Sequence, residues 1–267
     1  MSGEAELNKK QKEFYETFRK NRATKIWYTF RNGMLRRMRK DFGVENQIYK
    51  LHREWLGDLS NKKVLDLGCY AGNSLSYYLA ENSREYLGID LSERGIAQLK
   101  KRISKVPGAR AVAIDFLSEE FEERDFDLIY AYGVLHHFRD TDKLILRIKE
   151  KLKIGGEIIS YDPLQTSLPI KILRSLYRPF QSDRAWEWPF SRKVYYKYQQ
   201  AFQILERRAV FGKSKWLVLV NLLPLSNQKK QEVGQQWHRH DWKLSLNNDA
   251  VMFSCMHLTM RMKYNSR

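Results

Sequence analysis

Cysteine is nearly missing from this 267-residue chain: Cys69 and Cys255 are its two thiols. Two are too few for a disulfide framework or a cysteine metal cage, and they fit a reducing setting. Long apolar runs are missing too. The longest, Trp216 to Leu225, contains Asn221 and Pro224 and falls far short of a bilayer span. The opening residues carry Glu4 and Glu6 without an apolar stretch, so no secretory leader is expected and a cytoplasmic location follows. There is no internal repeat, and the G-x-G-x-x-G pattern of a dinucleotide site is absent. Hydrophobic residues make up 43% of the chain, enough for a sizeable core, which excludes general disorder.

What is present centres on Val64-Leu65-Asp66-Leu67-Gly68-Cys69-Tyr70-Ala71-Gly72-Asn73-Ser74. Val64, Leu65 and Leu67 read as a buried strand and the two glycines as a tight turn. Asn73 or Ser74 then caps a helix running to Ala80. Strand, glycine loop and helix together bring backbone donors close to a nucleotide-like ligand. Asp66 narrows the choice of ligand. A carboxylate before the first glycine repels pyrophosphate and attracts a cationic amino group or a sulfonium, which points to S-adenosylmethionine.

On these residues and the landmarks after them, the chain resembles the class I (Rossmann-like) S-adenosylmethionine-dependent methyltransferases over roughly residues 60–162. Leu87 to Ser92 reads as a second strand. Its Asp90 lies 22 residues after Gly68, a spacing suited to a carboxylate on the ribose hydroxyls. Ala113 to Phe116 reads as a third strand, Phe126 to Tyr132 as a fourth and Gly155 to Tyr161 as a fifth. The resemblance implies an α/β fold: a doubly wound, seven-stranded, mostly parallel sheet with strand seven antiparallel between strands five and six. N-terminal helices and helical substrate-cover insertions would be added to it here. It also implies a cofactor site of Asp66, Gly68, Cys69, Tyr70, Gly72, Asp90, Leu91, Asp115, Phe116 and Tyr132. In that site Asp115 takes the adenine amino group and Phe116 packs on the ring. One position departs from the family. Tyr70 stands where a third glycine is usual, so its ring must turn away from the cofactor or pack on it.

The formal net charge of +17 is spread unevenly. Residues 1–60 carry 14 basic and 8 acidic side chains, residues 61–160 carry 16 of each, and residues 161–267 carry 18 and 7. Basic flanks around a neutral centre suit an anionic partner: a phosphorylated or carboxylated substrate, a lipid surface or nucleic acid. Ordinary solubility charge is the alternative.

Residues 1–60 read as a basic helical segment. Trp27, Phe30, Met34 and Met38 recur on one helical stripe, which either packs on the domain or forms a lid or membrane face. A second helix is expected over Asn46–Trp55. Residues 61–267 read as the methyltransferase domain, with cover insertions at about 163–200 and 212–249. The first insertion holds an apolar-plus-basic helix, Leu168–Tyr177, then Arg184, Trp186, Trp188 and Arg192 as walls of an acceptor pocket, with buried packing an equal explanation of the two tryptophans. Helices are expected at Ser92–Ser104 and Thr141–Leu152, strand six at Phe202–Phe211, and a last strand within Val251–Lys263.

Methyl transfer from a sulfonium is already driven thermodynamically, so the protein's work is alignment, water exclusion and handling of one proton. Gly133 to Phe138 follows strand four, where an acceptor would lie. His137, with His136 beside it, is the candidate general base. Alternatively both histidines begin the next helix and support the loop. Gly133 and His136 stand where some quinone O-methyltransferases carry two metal-binding glutamates, so no metal site is carried over. His-x-His at His238 and His240 is a weak metal signal, and Trp237 to Trp242 reads better as an aromatic, basic lid.

The Asn/Asp-Pro-Pro-Tyr/Phe element used on exocyclic base amines is absent after strand four, as is a cysteine for attack on cytosine. The expected activity is O- or C-methylation of a small or amphiphilic acceptor, such as a lipid, quinone, polyketide or glycolipid-like molecule. Peripheral membrane contact fits the basic flanks. RNA methylation and a cofactor-binding protein without turnover stand as alternatives, and nothing in the sequence sets the oligomeric state.

Overall fold

The structure is a computed structural model, and it describes residues 13, 22–180 and 187–265. One sheet contains β1 (Lys63–Leu67), β2 (Glu85–Asp90), β3 (Ala109–Ala113), β4 (Phe126–Tyr132), β5 (Leu152–Pro163), β6 (Gln203–Val210) and β7 (His257–Lys263). Their order is β3-β2-β1-β4-β5-β7-β6. All neighbours pair in parallel except β7, which lies antiparallel between β5 and β6. This is the doubly wound, seven-stranded sheet that the family resemblance implies. Val64, Leu65 and Leu67 of β1 are all buried, as a central strand covered on both faces requires.

The helices are α1 (Arg22–Asp41), α2 (Val44–Leu56), α3 (Ser74–Asn82), α4 (Glu93–Ile103), α5 (Thr141–Lys151), α6 (Leu168–Tyr177), α7 (Arg192–Ala201), α8 (Leu217–Val220), α9 (Asn227–Leu244) and α10 (Asp249–Ser254). Their starts follow local capping chemistry. Asn73 accepts the N–H groups of Leu75 and Ser76, Ser92 that of Gly95, and Asp140 those of Asp142 and Lys143. On α4, Ile96, Leu99 and Ile103 form the buried stripe, and Lys100, Lys101 and Arg102 sit where the helix dipole favours cations.

One difference from the sequence reading concerns strand three. β3 ends at Ala113, because its partner β2 ends at Asp90 opposite it. Ile114, Asp115 and Phe116 therefore form a loop beyond the sheet edge rather than the tip of a strand.

Apolar side chains gather in three cores. One packs α5, α7 and α10 on one face of the sheet through Ile145, Ile148, Tyr195, Tyr198, Met252 and Phe253. The second packs α2, α3 and α4 on the other face through Leu51, Trp55, Leu75, Leu79, Ile96 and Leu99. In the third, Met38, Val44 and Ile48 meet Val210, Phe211, Leu217 and Val220. The N-terminal helices and the segment after β6 thus share a core. Of the stripe expected on α1, Met38 is buried there; the side chains of Trp27, Phe30 and Met34 lie outside the described residues.

Buried His52 ties α2 to the sheet. Its Nδ1 lies 3.1 Å from the Tyr130 hydroxyl and its Nε2 2.7 Å from Thr259 Oγ1. Burial lowers its pKa to about 3, so it remains neutral.

The segment Trp237–Trp242 is the interior of α9, not a lid. Asp241 is fully buried and accepts hydrogen bonds from the N–H groups of Gly212, Lys213 and Ser214 and from the Ser214 hydroxyl. His238 is also buried, 2.6 Å from Gln47 Oε1 and stacked on Phe42. Among the described residues, no cluster of three or more His, Cys, Asp or Glu side chains is placed to hold a metal ion.

Candidate functional site

A cleft of about 350 Å³ opens at the carboxyl ends of β1, β2 and β4, within the size range of small-molecule sites. Gly68 adopts φ +71° there, and a Cβ on it would lie 2.4 Å from the Val134 side chain. Only glycine meets both conditions, and the close approach lets the β1 loop and the β4 loop frame one cavity.

Asp90 ends β2 on the cleft wall. Its Oδ2 accepts the Tyr70 N–H at 3.0 Å and its Oδ1 accepts the Ser92 N–H at 2.8 Å, which fixes the carboxylate's orientation. Tyr70 takes φ +46°, the conformation of the glycine it stands in for. Its ring lies over Gly95, where a Cβ would come within 2.6 Å of it, and so turns toward α4. Asp115 lines the same cleft and accepts the Leu117 N–H at 2.9 Å. The loop carrying Asp115 is held from behind by Arg147 of α5, whose guanidinium donates to the carbonyls of Phe116, Ser118 and Phe121.

Of the residues read as cofactor-binding, Gly68, Tyr70, Asp90, Leu91, Asp115 and Phe116 line this cleft, and so does His137. The others do not. Asp66 lies beneath the loop, 2% exposed, where its Oδ2 accepts the Tyr86 hydroxyl at 2.8 Å. Burial lifts its carboxyl to about 6. Cys69 faces Gly88 in the interior, and burial pushes its thiol well above the usual range. Gly72, at φ +79°, makes the turn against Leu99 and Tyr77. Tyr132 stacks on Tyr161, with ring centroids 4.8 Å apart, behind the cleft.

The two histidines divide in role. His136 is buried and pinned: its Nδ1 lies 2.8 Å from Asp162 Oδ1, and its backbone N–H donates to the same oxygen at 3.1 Å. Burial raises the Asp162 carboxyl to about 7. His137 lines the cleft, its ring centroid 4.1 Å from that of His136.

A second cavity of about 250 Å³ adjoins, with Phe138 belonging to both walls. Arg139, Arg178, Glu187, Trp188 and Tyr198 line it. The Trp188 backbone N–H donates to the His136 carbonyl at 2.8 Å, which ties this wall to the histidine loop. The Tyr198 hydroxyl is buried without a hydrogen-bond partner among the described residues. Arg192 packs on the Phe253 ring at 4.9 Å rather than lining the cavity, and Arg184 and Trp186 lie outside the described residues. Val134, Gly95, Asp162 and Arg147 were not among the expected site residues. Their roles come from contacts across the fold that no local pattern announces.

Residues 65–158 match the family model for a methyltransferase domain. Over 108 residues the chain is 31% identical to a tRNA U34 carboxymethyltransferase of Shewanella halifaxensis, covering 39% of this chain and 32% of that protein. The matched stretch thus spans about a third of that relative's length. The fold aligns with an N-methyltransferase, NodS, of Bradyrhizobium japonicum in complex with S-adenosyl-L-homocysteine. That alignment has a TM-score of 0.53 and 16% identity, covering 83% of this chain and 87% of that one. A geranyl diphosphate C-methyltransferase of Streptomyces coelicolor aligns at TM-score 0.54 and 14% identity, covering 82% and 79%. The sheet order is that of a Rossmann-like α/β fold. The matched region carries a methyltransferase domain.

Proposed function

We propose that the chain transfers a methyl group from S-adenosylmethionine to an oxygen or carbon of a small or amphiphilic acceptor. The observation that carries this reading is the pairing of two cavities. A cleft bearing the Asp90 and Asp115 carboxylates meets, across Phe138, a smaller cavity walled by aromatic and arginine side chains.

The donor set suits the cofactor. Asp90 is oriented by two backbone N–H groups and has the acceptor capacity a ribose diol needs, Asp115 on the same cleft would accept from an adenine amino group, and Gly68 leaves room for a close approach. When bound, the cofactor supplies an electrophilic methyl. The chain's own part is to hold the acceptor in the second cavity, keep water out, and take a proton at the His137 ring where the acceptor arrives protonated. Arg139 and Arg178 suit a carboxylate or phosphate on the acceptor, and the Tyr198 hydroxyl offers it a hydrogen bond.

Asp90→Ala should weaken S-adenosylmethionine binding by about 3–6 kcal/mol through loss of two charge-assisted hydrogen bonds, measured by calorimetry. An unchanged affinity refutes the site. His137→Ala should spare that affinity and lower turnover, read by label transfer from methyl-labelled cofactor into a cell extract. Label found in the lipid or small-metabolite fraction supports the acceptor class.

A second reading, RNA methylation, has its own support in the name of the curated relative and in the basic flanks. It requires label in the RNA fraction and a steep fall of RNA affinity with salt.

A further inference from the structure

Two exposed apolar faces leave the sheet at the edge that carries the cleft. β6 runs parallel to β5, since β7 lies antiparallel to both. The chain after β5 and the chain after β6 therefore depart from the same carboxyl edge as Gly68, Asp90 and Gly133. After β5, α6 presents Leu168, Ile172 and Leu176 four residues apart on one stripe, 68%, 54% and 70% exposed. After β6, Leu217 and Val220 turn inward and anchor the segment in the third core. Leu219, Leu222 and Leu223 point outward at 54%, 79% and 50% exposure, with Trp216 and Leu225 beside them in the chain.

Basic side chains outnumber acidic ones around both faces. Residues 163–180 include Lys171, Arg174 and Arg178 and no acid. Around the knuckle Lys213, Lys229 and Lys230 are at least partly exposed, with Lys229 3.9 Å from Glu232, whereas Arg207 and Lys215 are buried and Arg207 and Arg208 pair with Asp249 and Glu206.

We propose that α6 and the Trp216–Leu225 knuckle seat this protein on an anionic lipid bilayer, with the cleft-bearing edge of the sheet toward the lipid. The occupant follows from the pairing of features. Outward leucines and a tryptophan suit the acyl–headgroup boundary, and an excess of basic over acidic side chains beside them suits anionic headgroups. Either signal alone gives marginal binding, whereas two together hold a protein at a membrane. No helix of the described residues is long and apolar enough to cross one, so the contact is peripheral. The methyl-transfer reading is not needed for this docking, though docking would bring a lipid-like acceptor to the second cavity.

The test is flotation of the full chain with vesicles of phosphatidylcholine, with and without phosphatidylglycerol. The expected result is binding to the anionic vesicles, weakened by added salt. It should fall about tenfold or more in Leu222→Ser/Leu223→Ser, and also in Ile172→Ser/Leu176→Ser. Melting temperature and calorimetric affinity for S-adenosylmethionine, measured on the same variants, should match the parent, since these side chains lie outside the cleft. That separates loss of docking from loss of fold or of the cofactor site. No flotation with either vesicle overturns the proposal, as does flotation unchanged in both variants. A dimer that these substitutions disperse, without vesicle binding, overturns it in favour of a second copy.

Discussion

Tyr70 holds a left-handed backbone conformation at φ +46°, which costs an ordinary side chain about 1–2 kcal/mol. Its N–H bond to Asp90 and the packing of its ring on Gly95 offset that cost. Gly68 has no such compensation available. Gly68→Ala combines φ +71° with a Cβ inside the Val134 side chain, and should destabilise the fold by about 1–3 kcal/mol and narrow the cleft. Adding Val134→Gly removes the clash but not the backbone strain. The double variant should regain part of the lost stability in a denaturant titration, and no regain would sink this account.

Protonation can be argued at the same scale. The Asp162 carboxyl, raised by burial to about 7, keeps its proton in the folded state where the unfolded chain has already lost it. Its contribution to stability is therefore complete below about pH 4 and is lost as the pH rises through about 7. His52, lowered by burial to about 3, acts in the opposite direction and loses its contribution as the pH falls below about 6.5. The two effects overlap in the parent curve. Subtracting the curve of Asp162→Asn isolates the carboxyl, and the difference should change by about 1.4 kcal/mol per pH unit between about pH 4 and 7. Parallel curves for the two proteins would show that Asp162 does not titrate in that window.

Among the elements, α9 shows how much rests on one side chain. Asp241 collects four hydrogen bonds from residues 212–214 and so fixes the chain's exit from β6. Asp241→Ala leaves three backbone donors and a hydroxyl without their acceptor, and should cost about 3–5 kcal/mol by chemical denaturation. Asp241→Asn keeps an acceptor oxygen and should cost less.

This is also where the sequence was least legible. Trp237 to Trp242 has the composition of a lid, but its carboxylate answers donors 27 to 29 residues earlier in the chain, a partnership with no local signature. Strands β1, β2, β4 and β5 were legible because their apolar runs are bounded by glycines or acids. β3 was displaced because its Ala-Arg-Ala-Val-Ala sequence is only weakly apolar, while Ile114 and Phe116 beyond it look more strand-like. In the cleft, Gly68, Asp90 and Asp115 followed from position along the chain. The burial of Asp66 beneath the loop and the pinning of His136 by Asp162 depend on neighbours from other strands.

For the whole molecule, the dominant feature is a neutral cofactor region between basic flanks. Residues 61–160 carry 16 charges of each sign, so the cleft has little long-range field of its own. Affinity for S-adenosylmethionine should change less than about twofold when salt rises from about 0.1 to 1 M, a range over which the screening length drops from about 10 to 3 Å. Calorimetry at the two salt concentrations checks this, and a tenfold loss would mean that flanking charge reaches the site.

The position of β7 bears on biosynthesis. β6 borders the sheet only through β7, and β7 is made after it. While the ribosome is still adding residues 257–263, β5 lacks its outer neighbour and β6 lacks any neighbour, so both present open hydrogen-bonding edges. A nascent chain in that interval is exposed to mispairing and a target for chaperones, and closure of the sheet waits on its last-made strand.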